Sequence, residues 1–186
     1  MLRIACWSGP RNISTALMRS WASRSDSFVS DEPLYAYYLK NTRLKHPMYK
    51  EIIERYPSSY EDVVSSLSSE VPNGKDCWYQ KHMAHHLIDI SNISWIKNFE
   101  NCLLIRHPRD VINSYTKKNT LNHVDDLGYP QQYKIMKYLD SIDKKFIVID
   151  SNILLNNPTK ILSRWCSIIN LEFDTSMLNW EKGNYP

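Results

Sequence analysis

Two stretches of this chain collect side chains suited to a tetrahedral anion. The first, Ser8-Gly9-Pro10-Arg11-Asn12-Ile13-Ser14-Thr15, places one guanidinium and two hydroxyls just ahead of Ala16, Leu17 and Trp21, apolar residues at helical spacing. A strand that ends in a turn and feeds a helix aims unpaired backbone N–H groups, and the positive end of the helix dipole, at one point. Arg11 adds a full charge there, and Ser14 and Thr15 add two donors, so a phosphate or sulfate is the natural occupant. The second stretch is Arg106-His107-Pro108-Arg109-Asp110-Val111-Ile112-Asn113-Ser114-Tyr115. Arg106 leaves the end of an apolar run, Pro108 opens a helix at its preferred first position, and Ser114 follows about two turns in. An arginine fork and a serine hydroxyl converging on one group again suit a phosphate.

Groups able to accept a proton stand elsewhere. Glu32 lies beside Pro33 at the end of a short strand, where it or Asp31 would equally suit a helix cap. His82, His85 and His86 fall within five residues of one another. His82 and His86 have the spacing of a helical zinc pair, but no Glu follows His82 and no third ligand stands near, so no metal is expected.

The elements that must position these groups alternate. Leu2 to Cys6, the tail Phe28 to Ser30, Cys77 to Lys81, Asn101 to Ile105 and Phe146 to Asp150 read as short buried strands. Helical patterns follow them. One begins at Ser14 or Thr15, an aromatic region spans residues 35–69 with breaks at Pro47 and Pro57, another covers Gln131 to Ile142, and a last is capped by Asn157 with Pro158 in its first turn. Pro72 to Lys75 reads as a turn and Thr120 to Pro130 as an exposed loop. This order predicts a three-layer α/β/α fold with a mostly parallel central sheet and a P-loop-like strand-loop-helix at the N-terminus.

The chain of 186 residues, 42% apolar, has room for one domain with a proper core. Its net charge of +3 is too small to point to nucleic acid or a membrane surface. Cys6, Cys77, Cys102 and Cys166 are scattered singly, as small apolar residues in a reducing compartment are. No apolar run is long enough to span a membrane and the start shows no signal-peptide pattern, so the expected location is cytoplasmic. Nothing in the sequence indicates an oligomeric state.

The first stretch lacks the lysine of the nucleoside triphosphate loop. It resembles instead the 5′-phosphosulfate loop of the cytosolic-type sulfotransferases, roughly Pro-Lys-Ser-Gly-Thr-Thr, with Arg11 where the lysine stands and Ile13 where the glycine stands. Ile13 replaces the residue that most easily takes a left-handed backbone. Arg106 to Ser114 resembles the same family's 3′-phosphate motif closely, with its eight-residue spacing. Glu32-Pro33 resembles the glutamate context of some branches. Lys81-His82-Met83 departs from the Lys-x-His of others, sliding that assignment to His82, His85 or His86. Leu171 to Gly183 resembles the family's C-terminal stretch, beyond which relatives continue into a cover for the nucleotide; this chain either lacks that cover or is shortened.

The resemblance implies a single sulfotransferase-like domain over residues 1–186 that uses 3′-phosphoadenosine 5′-phosphosulfate and no metal, with a small-molecule hydroxyl or amine as acceptor. Arg11, Asn12, Ile13, Ser14 and Thr15 would hold the 5′ side, with Arg11 at the leaving group, and Arg106 and Ser114 would hold the 3′-phosphate. Glu32, or second to it His85, would take the acceptor's proton. The alternatives are a P-loop nucleotide kinase or NTPase, which would need magnesium, and a non-catalytic nucleotide-binding module, which Ile13 and Met83 keep open.

Overall fold

A strand whose two faces are both apolar needs cover on both sides, and the first strand is of that kind. A computed structural model of the chain describes residues 1–180, and Glu181, Lys182 and Gly183 of the family-like C-terminal stretch lie outside the described residues. In chain order the elements are β1 (Leu2–Ser8), α1 (Ser14–Ala22), β2 (Ser27–Asp31), α2 (Tyr35–Thr42), α3 (Tyr49–Arg55), α4 (Tyr60–Ser68), β3 (Cys77–Met83), β4 (Glu100–Ile105), α5 (Pro108–Tyr115), α6 (Tyr129–Ser141), β5 (Phe146–Asp150), α7 (Ser151–Asn156) and α8 (Pro158–Ile168). The strands form one sheet in the order β2-β3-β1-β4-β5, and every pairing is parallel.

The period-two alternation of the strands divides the core. Ile4 and Cys6 of β1, Tyr79 of β3 and Leu104 of β4 pack with Leu17 and Trp21 of α1 and with Leu162 and Trp165 of α8. Trp21 stacks on Tyr79 at 5.3 Å between ring centroids and meets Trp165 edge-on at 5.1 Å. On the other face Ala5 and Trp7 of β1, Trp78 of β3 and Leu103 of β4 pack with Val63 and Leu67 of α4 and with Ile135 and Leu139 of α6. The result is the three-layer α/β/α arrangement the alternation predicts. All four cysteines are free and buried. Among the described residues no helix is long and apolar enough to cross a membrane.

Two expectations are corrected. β5 is not a fully buried strand but the sheet's edge, with Val148 half exposed, because only β4 pairs with it. The stretch Thr120 to Pro130 is not all exposed loop. A short turn over Val124–Leu127 buries Leu127, and α6 begins at Tyr129 with Pro130 inside its first turn, a position that tolerates the missing N–H.

That turn presses on the first loop. A Cβ at Gly9 would run into the backbone carbonyl of Leu127, which cannot rotate aside as a side chain would. Gly128, at φ 74°, approaches the Gly9 Cα on the same side. Gly9→Ala should therefore lower unfolding stability by about 1–3 kcal/mol, the usual range for overpacking, read as a lower urea midpoint at constant slope. An unchanged midpoint would mean that the loop and the 124–127 turn are not in contact.

Candidate active site

The chain leaves β1 at Ser8 and reaches α1 at Ser14 through two residues in the left-handed region, Arg11 at φ 62° and Ile13 at φ 58°. A β-branched residue is uncommon there and the conformation costs on the order of 1–2 kcal/mol. Ile13 thus holds a backbone conformation that glycine adopts most easily. Ile13 keeps it because its carbonyl accepts the Leu17 N–H at 3.1 Å, opening α1, and its side chain packs against the core.

Bonds from other strand ends fix the loop. Asn12 Nδ2 donates to the Leu104 carbonyl at 3.2 Å, Ser151 Oγ to the Asn12 carbonyl at 3.1 Å, and Arg106 Nη1 to the Arg11 carbonyl at 3.0 Å. Arg106 is itself held by Tyr129, whose hydroxyl donates to the Arg106 carbonyl at 2.8 Å.

Arg11, Asn12, Ile13, Ser14, Thr15, Arg106 and Ser114 all line one cleft of about 310 Å³. The two anion-suited stretches, a hundred residues apart in sequence, thus meet. The Arg11 guanidinium reaches Ser114, donating from Nε to Oγ at 2.9 Å, so it joins the two halves of the cleft. Among the described residues no acidic one lines the cleft, none stands in the first turn of α1, and no side chain caps that helix. Arg106 Nε is buried and has no partner among the described residues. Two guanidinium groups and an uncapped helix start leave the cleft short of negative charge.

Glu32 follows β2, on the same sheet edge. It caps nothing: α2 starts at Tyr35 after Leu34, without a side-chain cap. Its carboxylate instead meets Lys81 of β3, with Glu32 Oε1 at 2.7 Å and Asp31 Oδ1 at 2.6 Å from Nζ. The Lys81 side chain is 4% exposed. Burial opposes its charge, but Glu32 and Asp31 more than offset that and hold the ammonium above its ordinary range. Sequence reasoning missed this triad. The signal was a lysine in an otherwise buried strand, which needs an anionic partner.

Glu32 also lines a second cleft, about 520 Å³, closed by α2, α3 and α4, with Tyr35, Tyr56 and Trp78 in its walls. His82 and His86 do not form a helical pair, since β3 runs through Met83 and only a short turn, Ala84–His86, follows. His82 lies stacked on Trp7 at 4.3 Å and faces Gln80 Oε1 at 3.3 Å, and His86 stacks on Tyr38 at 4.6 Å. His85 is half-buried, edge-on to Tyr38, with its backbone against the Gly128 turn that abuts Gly9.

Burial pushes His82 down to about 3 and His85 to about 4, and lowers His86 strongly as well. An unfolded histidine takes up a proton below about pH 6.5, while the buried ones stay neutral. The unfolded state then binds more protons, so stability falls as pH drops below that point, until the folded values are reached. Between about pH 7.5 and about pH 5.5 His82 alone should remove roughly 1.4 kcal/mol. Urea unfolding across that window should show the loss, and His82→Gln should flatten the slope by that amount; an unaltered slope would place a proton on the folded histidine.

The chain is 31% identical over 183 residues to the Arabidopsis thaliana branched-chain-amino-acid aminotransferase-like protein 2, covering 98% of this chain and 32% of that protein. It spans about one third of the length of the curated relatives it matches. Its fold is similar to that of the sulfotransferase domain from the curacin biosynthetic pathway, with TM-score 0.66 and 17% identity over 97% of this chain and 78% of that one. The sulfotransferase domain of the Synechococcus PCC 7002 olefin synthase is similar too, with TM-score 0.62 and 18% identity over 99% of this chain and 78% of that one. The sulfotransferase domain family itself matches residues 2–186, and the chain belongs to it.

Proposed function

We propose that residues 1–186 form one catalytic domain that moves a sulfuryl group from 3′-phosphoadenosine 5′-phosphosulfate to a hydroxyl or amine of a small molecule. Family membership supports sulfuryl transfer in general. The observation that carries the donor is the cleft shared by Arg11 to Thr15, Arg106 and Ser114. Its residues fit a molecule with phosphate at both ends. They supply two forked cations, hydroxyls and a helix start, and among the described residues no carboxylate opposes them and the buried Arg106 Nε lacks a partner.

The donor supplies an activated sulfuryl group and departs as the 3′,5′-bisphosphate. The chain's residues supply position and charge. The start of α1, with Ser14 and Thr15, holds the side where negative charge grows on the leaving phosphate. Arg106 and Ser114 hold the 3′-phosphate, and Arg11 lies between the two. Glu32 takes the proton from the attacking acceptor, which the second cleft would seat. Lys81, in salt bridge with Glu32, fixes the direction in which that carboxylate points. His85 is the second candidate for the proton. The nucleotide kinase reading gains no support, because no lysine stands in the loop.

Thermal unfolding with adenosine 3′,5′-bisphosphate tests the donor. At ~100 times its dissociation constant the ligand should add ~2.7 kcal/mol, or roughly 5–10 °C for a domain of this size. Ser114→Ala and Arg106→Lys should each reduce the shift, whereas Glu32→Gln should leave it intact. A shift seen only with ATP and magnesium would move the kinase to first place, and bisphosphate binding without transfer to any acceptor would favour a module without turnover. Once an acceptor is found, Glu32→Gln should lower kcat by ~10²–10⁴-fold; a loss of that size in His85→Gln alone would transfer the role to the histidine.

A further inference from the structure

The cleft beside Glu32 carries a chemical preference of its own. Its walls are mostly apolar or aromatic, with Ser30 and Ser66 as the uncharged polar members and Asp31 and Glu32 as the charged ones. These two carboxylates share a single ammonium, that of Lys81, and each uses one oxygen for it. Among the described residues neither Asp31 Oδ2 nor Glu32 Oε2 accepts a hydrogen bond from any other group. Lys81 is buried behind them, while their side chains remain 40% and 29% exposed. The cleft therefore meets one net negative charge with free lone pairs and no cation in its lining. In the same lining the Trp78 ring is held in place by its Nε1 donating to Oγ of Ser30, the neighbour of Asp31 in sequence, at 2.9 Å. Aromatic faces next to unneutralised carboxylate attract an organic cation and repel an anion.

We propose that this cleft selects a small apolar or aromatic molecule that carries a protonated amine together with the hydroxyl to be modified, and rejects its carboxylate counterparts. Asp31 receives the ammonium, and Glu32 faces the hydroxyl. The volume, about 520 Å³, suits a single-ring compound with a short side chain. The assignment rests on reading this cleft as the acceptor side of the sulfotransferase, and it specifies the class of acceptor.

The test is a matched series with one skeleton and three charges: tyramine, 4-ethylphenol and 3-(4-hydroxyphenyl)propanoate. Binding to the wild-type protein is followed by calorimetry and by tryptophan fluorescence, with and without adenosine 3′,5′-bisphosphate. Tyramine should bind at least ~10-fold tighter than 4-ethylphenol, and the propanoate weaker than either. Asp31→Asn should erase the preference for tyramine over 4-ethylphenol. Equal or tighter binding of the propanoate, or no binding of any of the three, overturns the proposal, and the wild-type series decides this whether or not the variant folds. The bisphosphate titration reads the donor separately. Bisphosphate binding without the amine preference sinks this inference alone, whereas the amine preference without bisphosphate binding upholds the cleft's charge selection and removes the sulfotransferase reading beneath it.

Discussion

The loop between β1 and α1 can hold its shape only because other parts of the chain press on it and bond to it. Arg11 and Ile13 both sit at positive φ without being glycine, each at a cost on the order of 1–2 kcal/mol. Against this stand hydrogen bonds from Asn12, Ser151 and Arg106, each worth about 1 kcal/mol net. The carbonyl of Leu127 closes on Gly9 from outside. These bonds come from the ends of β4 and β5 and from the helices that follow them. The loop's conformation is therefore a property of the assembled sheet, and the local sequence opposes it. The same contacts that overcome the strain bring Arg106 and Ser114 to the loop, so holding the backbone and building the cleft are one event.

The other side of the sheet edge is organised by charge. Lys81 lies in register with Asp31 on one neighbour and with Cys6 on the other, so its ammonium is placed between β2 and the core. A lysine buried to this degree is tolerated only with anionic partners, and here it has two. The arrangement leaves one negative charge uncompensated at the rim. It also ties Glu32, at φ 48°, to β3 by backbone as well as side chain, since the Glu32 N–H donates to the Lys81 carbonyl at 2.9 Å. A carboxylate fixed at both backbone and side chain loses little freedom when a ligand arrives, which is the physical meaning of preorganisation.

Much of the scaffold was legible because its signals are local. Apolar runs such as Asn101 to Ile105 can only be strands buried on both faces, and Pro108 with Asp110 marks a helix start without reference to anything distant. The edge position of β5 was not legible, because Phe146 to Asp150 is as apolar as an inner strand and only the pairing order tells them apart. Nor was the buried Leu127 turn, whose polar neighbours Asp125 and Asp126 read as loop. The setting of His82 was not legible either, since β3 runs two residues past the Lys81 at which polarity suggested its end.

The two clefts differ in how the chain encodes them, and that difference explains which one could be read. Each half of the cleft lined by Arg11 and Arg106 is a contiguous strand-turn-helix segment, so its residue types and spacing survive in the sequence as a pattern, and the fold has only to bring two such segments together. The second cleft is assembled from the end of β2, the start of α2, Val63, Ser66 and Leu67 of α4, and single residues of α3 and β3, Ile52 and Trp78. No spacing rule links those positions, because each points into the cleft for its own helical or strand reason. A phosphate-bearing group is recognised by backbone N–H groups and fixed cations, which demand a particular local geometry. An apolar body is recognised by shape, which many combinations of side chains can provide. Recognition of a phosphate-bearing group therefore constrains sequence tightly, and recognition of an apolar body constrains only volume, polarity and charge.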